Sequence, residues 1–230
     1  MIGAINLKIQ VEVISIFIVS TLVIALVLAM HRSIKKADPY AKPKGLTLLA
    51  IMIVESLNKL TKDNVKDESA PKYAPYVGVL AFYILISNTI GLLGITQPTK
   101  NYSVTLTLAL ITFILVQHAS IKHNGLKGYI KGYFDPHPLF FIMNFFGTLA
   151  PVISMSVRLF GNITSGSIIL LLVYGFTAYI SGFIPVLGQI NFIGPFIAPF
   201  LHFYFDLFVG AIQMFIFISL TTVYVGNEFA

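Results

Sequence analysis

The stretch that decides the fold is LFFIMNFFGTLAPVISMSVRLFGNITSGSIILLLVYGFTAYI, Leu139 to Ile180. Its 42 residues carry one charge, Arg158. As a helix rising 1.5 Å per residue it would be roughly 63 Å long, about twice the ~30 Å hydrocarbon thickness of a bilayer. A second stretch, Gln189 to Gly226, has 38 residues, roughly 57 Å on the same rise. Each is therefore two upright spans joined by an uncharged turn, or one long helix lying steeply tilted. Pro151, Pro195 and Pro199 could mark breaks or kinks, and hydropathy by itself leans towards four spans. With so little charge here, the positive-inside rule does not decide.

The rest of the chain has the same solvent. Of 230 residues, 57% are hydrophobic and 10% charged, with mean hydropathy +0.86. Soluble domains carry about 25% charged residues, so lipid must cover most of this surface. Absence of cysteine removes disulfides and thiolate metal sites. With no Trp, Tyr is left as the interfacial aromatic anchor.

The net charge of +6 invites a nucleic-acid reading, but its placement argues against one. Nine of the 15 basic residues fall between Arg32 and Lys72, and Lys122, Lys127 and Lys131 follow the third apolar run. These twelve flank hydrophobic segments as cytoplasmic loops do, and no aromatic stacking residues interleave them. Taking the first basic loop as cytoplasmic sets the N-terminus outside, with Lys8 and Lys100 in segments on that side. Lys8 precedes an apolar run with no small-residue cleavage site, so that run is expected to stay as a first helix.

The expected organisation is one integral membrane domain. A first span covers 11–30 and stops at His31-Arg32. An amphipathic segment, 46–62, is too short to cross and is expected to lie in the interface. A helical hairpin covers 76–121, turning at Thr96–Tyr102, and 139–226 holds the long apolar stretches. No repeat relates the halves, which weakens a duplicated-transporter reading.

Arg158 is the sharpest feature. An arginine at mid-bilayer costs about 2.5–3.5 kcal/mol on insertion scales and keeps its charge. It can attract a carboxylate and repel a free proton, but it cannot carry one. Asn162 and Ser165 share its helical face at i+4 and i+7, and Ser154 lies one turn earlier. Gly161 and Gly166 thin the helix for a close neighbour. An alternative role is a purely structural pair with Asp206, the mid-membrane carboxylate of the last helix. Buried pairs stabilise poorly compared with apolar packing, which favours function. His202, Asp206 and Gln213 stand at i, i+4 and i+11, a polar stripe on a Phe/Leu/Ile helix. Asn88 reads as a helix–helix hydrogen bond. The five scattered histidines show no metal-ligand spacing. No phosphate-cradling glycine loop or nucleophile–base pair is present, so no cofactor, ATP binding or covalent catalysis is expected.

Several ordered motifs carry a resemblance. Arg158-Leu159-Phe160-Gly161-Asn162 is similar to the most characteristic motif of subunit a of F-type ATP synthases. Ala211-Ile212-Gln213-Met214-Phe215-Ile216-Phe217, followed by Leu220-Thr221-Thr222-Val223-Tyr224, resembles that family's last helix. Pro98-Thr99, Val104-Thr105-Leu106-Thr107-Leu108-Ala109-Leu110 and Ser87-Asn88-Thr89-Ile90-Gly91-Leu92-Leu93-Gly94 resemble its hairpin.

The resemblance implies an all-α polytopic membrane protein whose two long C-terminal helices lie steeply tilted against a c-ring. It also implies a peripheral stalk subunit b and other synthase subunits as partners, and favours a bacterial plasma membrane. Two offset half-channels would pass protons through a ring carboxylate, with Arg158 between them blocking a direct leak. Where many members have Glu or His nine residues after the arginine, this chain has Ser167. Seven residues before the glutamine, where many have His, it has Asp206. The outer half-channel is accordingly assigned to Asp206 with Ser167, His202 and Gln213. Asn144 stands where some relatives have Glu, leaving Asn144 and Ser154 as candidates for the inner half-channel. Two other classes remain: a stand-alone ion channel or secondary transporter, and an intramembrane scaffold.

Overall fold

A computed structural model of the chain describes residues 11–38, 42–183 and 191–229. Lys8 and Gln189, used above as an outer cation and a segment start, lie outside the described residues.

Helix α1, Val11–Lys36, ends on Lys35 and Lys36, cations at the negative end of the helix dipole. Helix α2, Leu46–Asn64, is followed by a short loop in which the Asp67 carboxylate accepts from the Ser69 N–H at 2.7 Å. Helix α3, Ala70–Thr89, has a proline in its first turn, where no intrahelical donor is lost. Helix α4, Tyr102–Phe134, is capped by the Asn101 side chain, which accepts from the Ser103 N–H. The basic segment expected to form a loop after residue 121 instead continues α4 to Phe134, with one break at Gly125.

The four-span alternative does not hold. Helix α5, Phe141–Ser181, passes through Pro151 as one helix of 41 residues, roughly 62 Å long. The last apolar stretch is also one rod. It consists of α6, Gly194–His202, a π-helical segment, Phe203–Phe208, and α7, Val209–Asn227. Rods of this length fit a ~30 Å hydrocarbon layer only when steeply tilted. Pro151 leaves α5 unbroken, so the proline breaks anticipated from sequence are not needed. Among the described residues, five helical segments are long and apolar enough to cross a membrane, and the chain is an all-α polytopic membrane protein.

Lipid offers no hydrophobic drive between helices, so close packing and polar contacts must hold the bundle. The core joins Val77, Leu80 and Ile84 of α3, Met155 and Leu159 of α5, and Phe217 and Ile218 of α7. Gly166 of α5 admits the ring of Phe205, 3.1 Å from where a Cβ would sit. At the far end of α7, Gly226 lies against the backbone of Asn64, and a Cβ there would collide with the Asn64 carbonyl oxygen. The Asn64 side chain donates to Thr222 Oγ1 at 3.0 Å, so the ends of α2 and α7 are joined.

A candidate ion path along the two long helices

Arg158 follows from the register of α5. Leu159, beside it, points into the core and is 1% exposed, which turns Arg158 to the outer face. Ser154 and Ser165 share that face, and the exposed apolar side chains of Ile153, Val157 and Ile168 (59%, 49% and 52%) flank it. Gly161, one turn on, has nothing within 4 Å of a Cβ position. The guanidinium makes one long contact, Arg158 Nη2 to Ser154 Oγ at 3.4 Å. No acidic group pairs with it among the described residues.

The scaffold pairing of Arg158 with Asp206 is therefore absent. Asp206 is engaged by its own helix: His202 Nδ1 donates to Asp206 Oδ2 at 2.5 Å. With that tautomer Nε2 is the acceptor, and the Tyr174 hydroxyl of α5 donates to it at 2.8 Å. Gln97 Nε2 donates to Asp206 Oδ1 at 3.2 Å and to the Asn88 carbonyl at 2.6 Å. The Asn88 side chain accepts from Thr99 Oγ1 and donates to the Gly210 carbonyl at 3.3 Å, which is the helix–helix bond its position suggested.

Asp206 sits in the π-helical turn. An i→i+5 turn holds an extra residue relative to an α turn, and such bulges recur at functional sites. His202 and Asp206 share a face, as their i, i+4 spacing suggested, but the bulge shifts the register beyond them and Gln213 does not join the pair. Gln213 is buried on α7 and lines neither cavity beside Asp206.

Those two cavities share Gln97, Ser167 and Asp206. The outer one, about 350 Å³, opens beside the α3–α4 link at Thr96 and Lys100, and includes Tyr174 and His202. The inner one, about 10 Å³, is room for roughly one water and reaches Asn162, one turn from Arg158. Asp206, Ser167, His202 and Asn162 are thus brought together. Ser167 Oγ donates to the Ile163 carbonyl, which leaves its oxygen as an acceptor.

Asn144 is elsewhere. It lines two adjoining cavities, about 620 and 220 Å³, at the opposite end of α4. Its amide donates to the carbonyls of Tyr133 (3.0 Å) and Asp135 (3.1 Å), tying α5 to the end of α4. The larger cavity follows α5 from Asn144 to Met155, close to one turn short of Arg158. Ser154 lies outside it, beside the arginine. Gln97, Tyr174 and Glu228 escaped the sequence reading. Tyr174 alone had a signal, since it stands seven residues after Ser167 on the same helical face.

A family profile described as "ATP synthase A chain" matches residues 13–226. The chain is 34% identical over 229 residues to "ATP synthase subunit a" of Mycoplasma pneumoniae, covering 91% of this chain and 76% of that protein. It is 35% identical over 188 residues to the protein of the same name from Acidothermus cellulolyticus, covering 79% and 64%. To "ATP synthase subunit a, sodium ion specific" of Propionigenium modestum it is 36% identical over 173 residues, covering 68% and 54%.

Proposed function

Since the chain belongs to the ATP synthase A chain family, the ion-translocating stator subunit of that complex, we propose that it couples proton flow to ring rotation through two offset half-channels. The carrying observation is the isolation of Arg158. A permanent cation on an exposed face flanked by apolar side chains, with no acidic partner among the described residues, suits a carboxylate supplied by a neighbouring c-ring. The chain works without covalent chemistry, as a positioning and electrostatic element.

In this reading the outer half-channel begins beside Lys100, passes His202, Asp206 and Ser167, and ends at Asn162. A proton reaching the ring carboxylate neutralises it and releases it from Arg158. Rotation carries the protonated site round, and the approach to Arg158 from the other side expels the proton towards the cavity lined by Asn144. Ser154 steadies the guanidinium, and Gln213 supplies a buried amide on the facing helix. About 2.3 kcal/mol per charge per 100 mV drives the cycle, and the Arg158 charge keeps it from dissipating as a leak. The exposed Lys122, Lys127 and Lys131 argue that their end of α4 is cytoplasmic. The N-terminus and the α3–α4 link would then be outside, α2 would lie in the interface, and the membrane would be a bacterial plasma membrane. Subunit b is the expected peripheral-stalk partner.

Replacing Arg158 with Ala in membranes tests this reading. The complex should assemble while proton-driven ATP synthesis is lost. Synthesis at the native rate would refute it.

A further inference from the structure

The cavities at the Asn144 end hold one carboxylate, Glu228, which lines both. The other titratable side chains facing them are the phenols of Tyr129 and Tyr133 on α4 and Tyr224 on α7. An amide such as Asn144 does not titrate, and a phenol exchanges its proton poorly near neutral pH. The geometry points to Glu228 as the proton carrier of the inner half-channel, an inference that rests on the function proposed above.

Three features build the position. Gly226 and Thr222 dock the end of α7 on Asn64, and the Phe229 ring meets Tyr73 (6.2 Å) and His123 (5.2 Å) edge-on. Glu228 is thus held between anchored residues, and no cation pairs with it among the described residues. The break at Gly125 turns the end of α4 back, so that the Tyr129 hydroxyl donates to Gln117 Oε1 at 2.7 Å across twelve residues. The folded-back end walls a polar cavity of about 220 Å³, roomy enough for several waters. The adjoining cavity leads along α5 towards Arg158. In the synthesis direction, the ring carboxylate releases its proton to cavity water on the Arg158 side, and a Glu228 carboxylate oxygen takes that excess proton, leaving the water neutral. Glu228 then gives the proton to water at the mouth, which regenerates the carboxylate. Pumping runs the same steps backwards.

The test uses the assembled synthase in membrane vesicles. Glu228→Gln is expected to lower both proton-driven synthesis and ATP-driven pumping by roughly 10²-fold, the low end for a positioned proton-transfer group, with assembly intact. Glu228→Asp should keep most of the rate. This chain has no cysteine, so Glu228→Cys, in a complex otherwise free of reactive thiols, gives a second reading that does not depend on the Gln variant assembling. Alkylation with iodoacetate restores a carboxylate and should restore flux, whereas iodoacetamide should not. Native flux in the Gln variant, or equal flux after the two reagents, overturns the inference. If Arg158→Ala is inactive while Glu228→Gln is silent, only this inference falls; if Arg158→Ala is silent too, the proposed function falls with it.

Discussion

His202 Nδ1 lies 2.5 Å from Asp206 Oδ2 across the π-helical turn, and no ion pair joins either residue to Arg158. The membrane-buried acid of the last helix is satisfied by a neighbouring base, by Gln97 and, through His202, by Tyr174. Arg158 keeps its charge available to whatever covers the outer face of α5.

Asp206→Asn removes the carboxylate of this cluster while keeping its size; the amide oxygen can accept from only one of His202 and Gln97. Proton-driven synthesis should fall by about 10²-fold or more with normal assembly. Rates measured in vesicles at fixed driving force check it, and unchanged rates would remove Asp206 from the path.

The open face around Gly161 should be the ring contact. A cysteine placed at Gly161 is expected to cross-link to a cysteine in the middle of a ring helix. One at Val77, 1% exposed in the core, should not. Non-reducing gels of the oxidised complex read both outcomes.

Two glycines hold the cavities at the Asn144 end in shape. Gly125 has φ 68° and ψ 162°, a region essentially reserved for glycine. Gly125→Ala should cost about 1–3 kcal/mol and weaken the Tyr129–Gln117 contact. Gly226→Ala would push a methyl group into the Asn64 backbone and should cost about 1–3 kcal/mol by overpacking. Thermal unfolding of the detergent-solubilised complex measures both.

Much of this was legible from residues, and the gaps have physical causes. Charge scarcity and the length of Leu139–Ile180 identified a membrane chain, and one arginine in 42 residues marked the candidate site. Hydropathy could not tell a 41-residue tilted helix from two spans, because each presents the same apolar composition to lipid. Gln213 was grouped with Asp206 on an assumed 3.6-residue period, which the π turn at Phe203–Phe208 interrupts. Gln97 was read as part of a link, since only the folded hairpin brings it to Asp206, 109 positions away. Glu228 carried no signal in the sequence, since only the fold of α4 back at Gly125 builds the cavity that it lines.

Outside the membrane, Asp67 provides a pH handle. Its carboxylate is held below the ordinary value of 3.8 chiefly by hydrogen bonding to Ser69. The folded value is the lower one, so its contribution is complete above about pH 3.8 and is lost as pH falls through the depressed value. Hydrogen exchange at the Ser69 amide should therefore show protection that weakens on acidification, and Asp67→Asn should abolish that pH dependence.

The most direct measurement is passive proton permeability of vesicles holding the Arg158→Gln complex, recorded under an imposed potential beside ATP synthesis. If Arg158 separates the Asp206 cluster from the cavities at Asn144, permeability should rise by about tenfold, the equivalent of ~1.4 kcal/mol off the barrier, while synthesis is abolished. Native permeability together with native synthesis would contradict it.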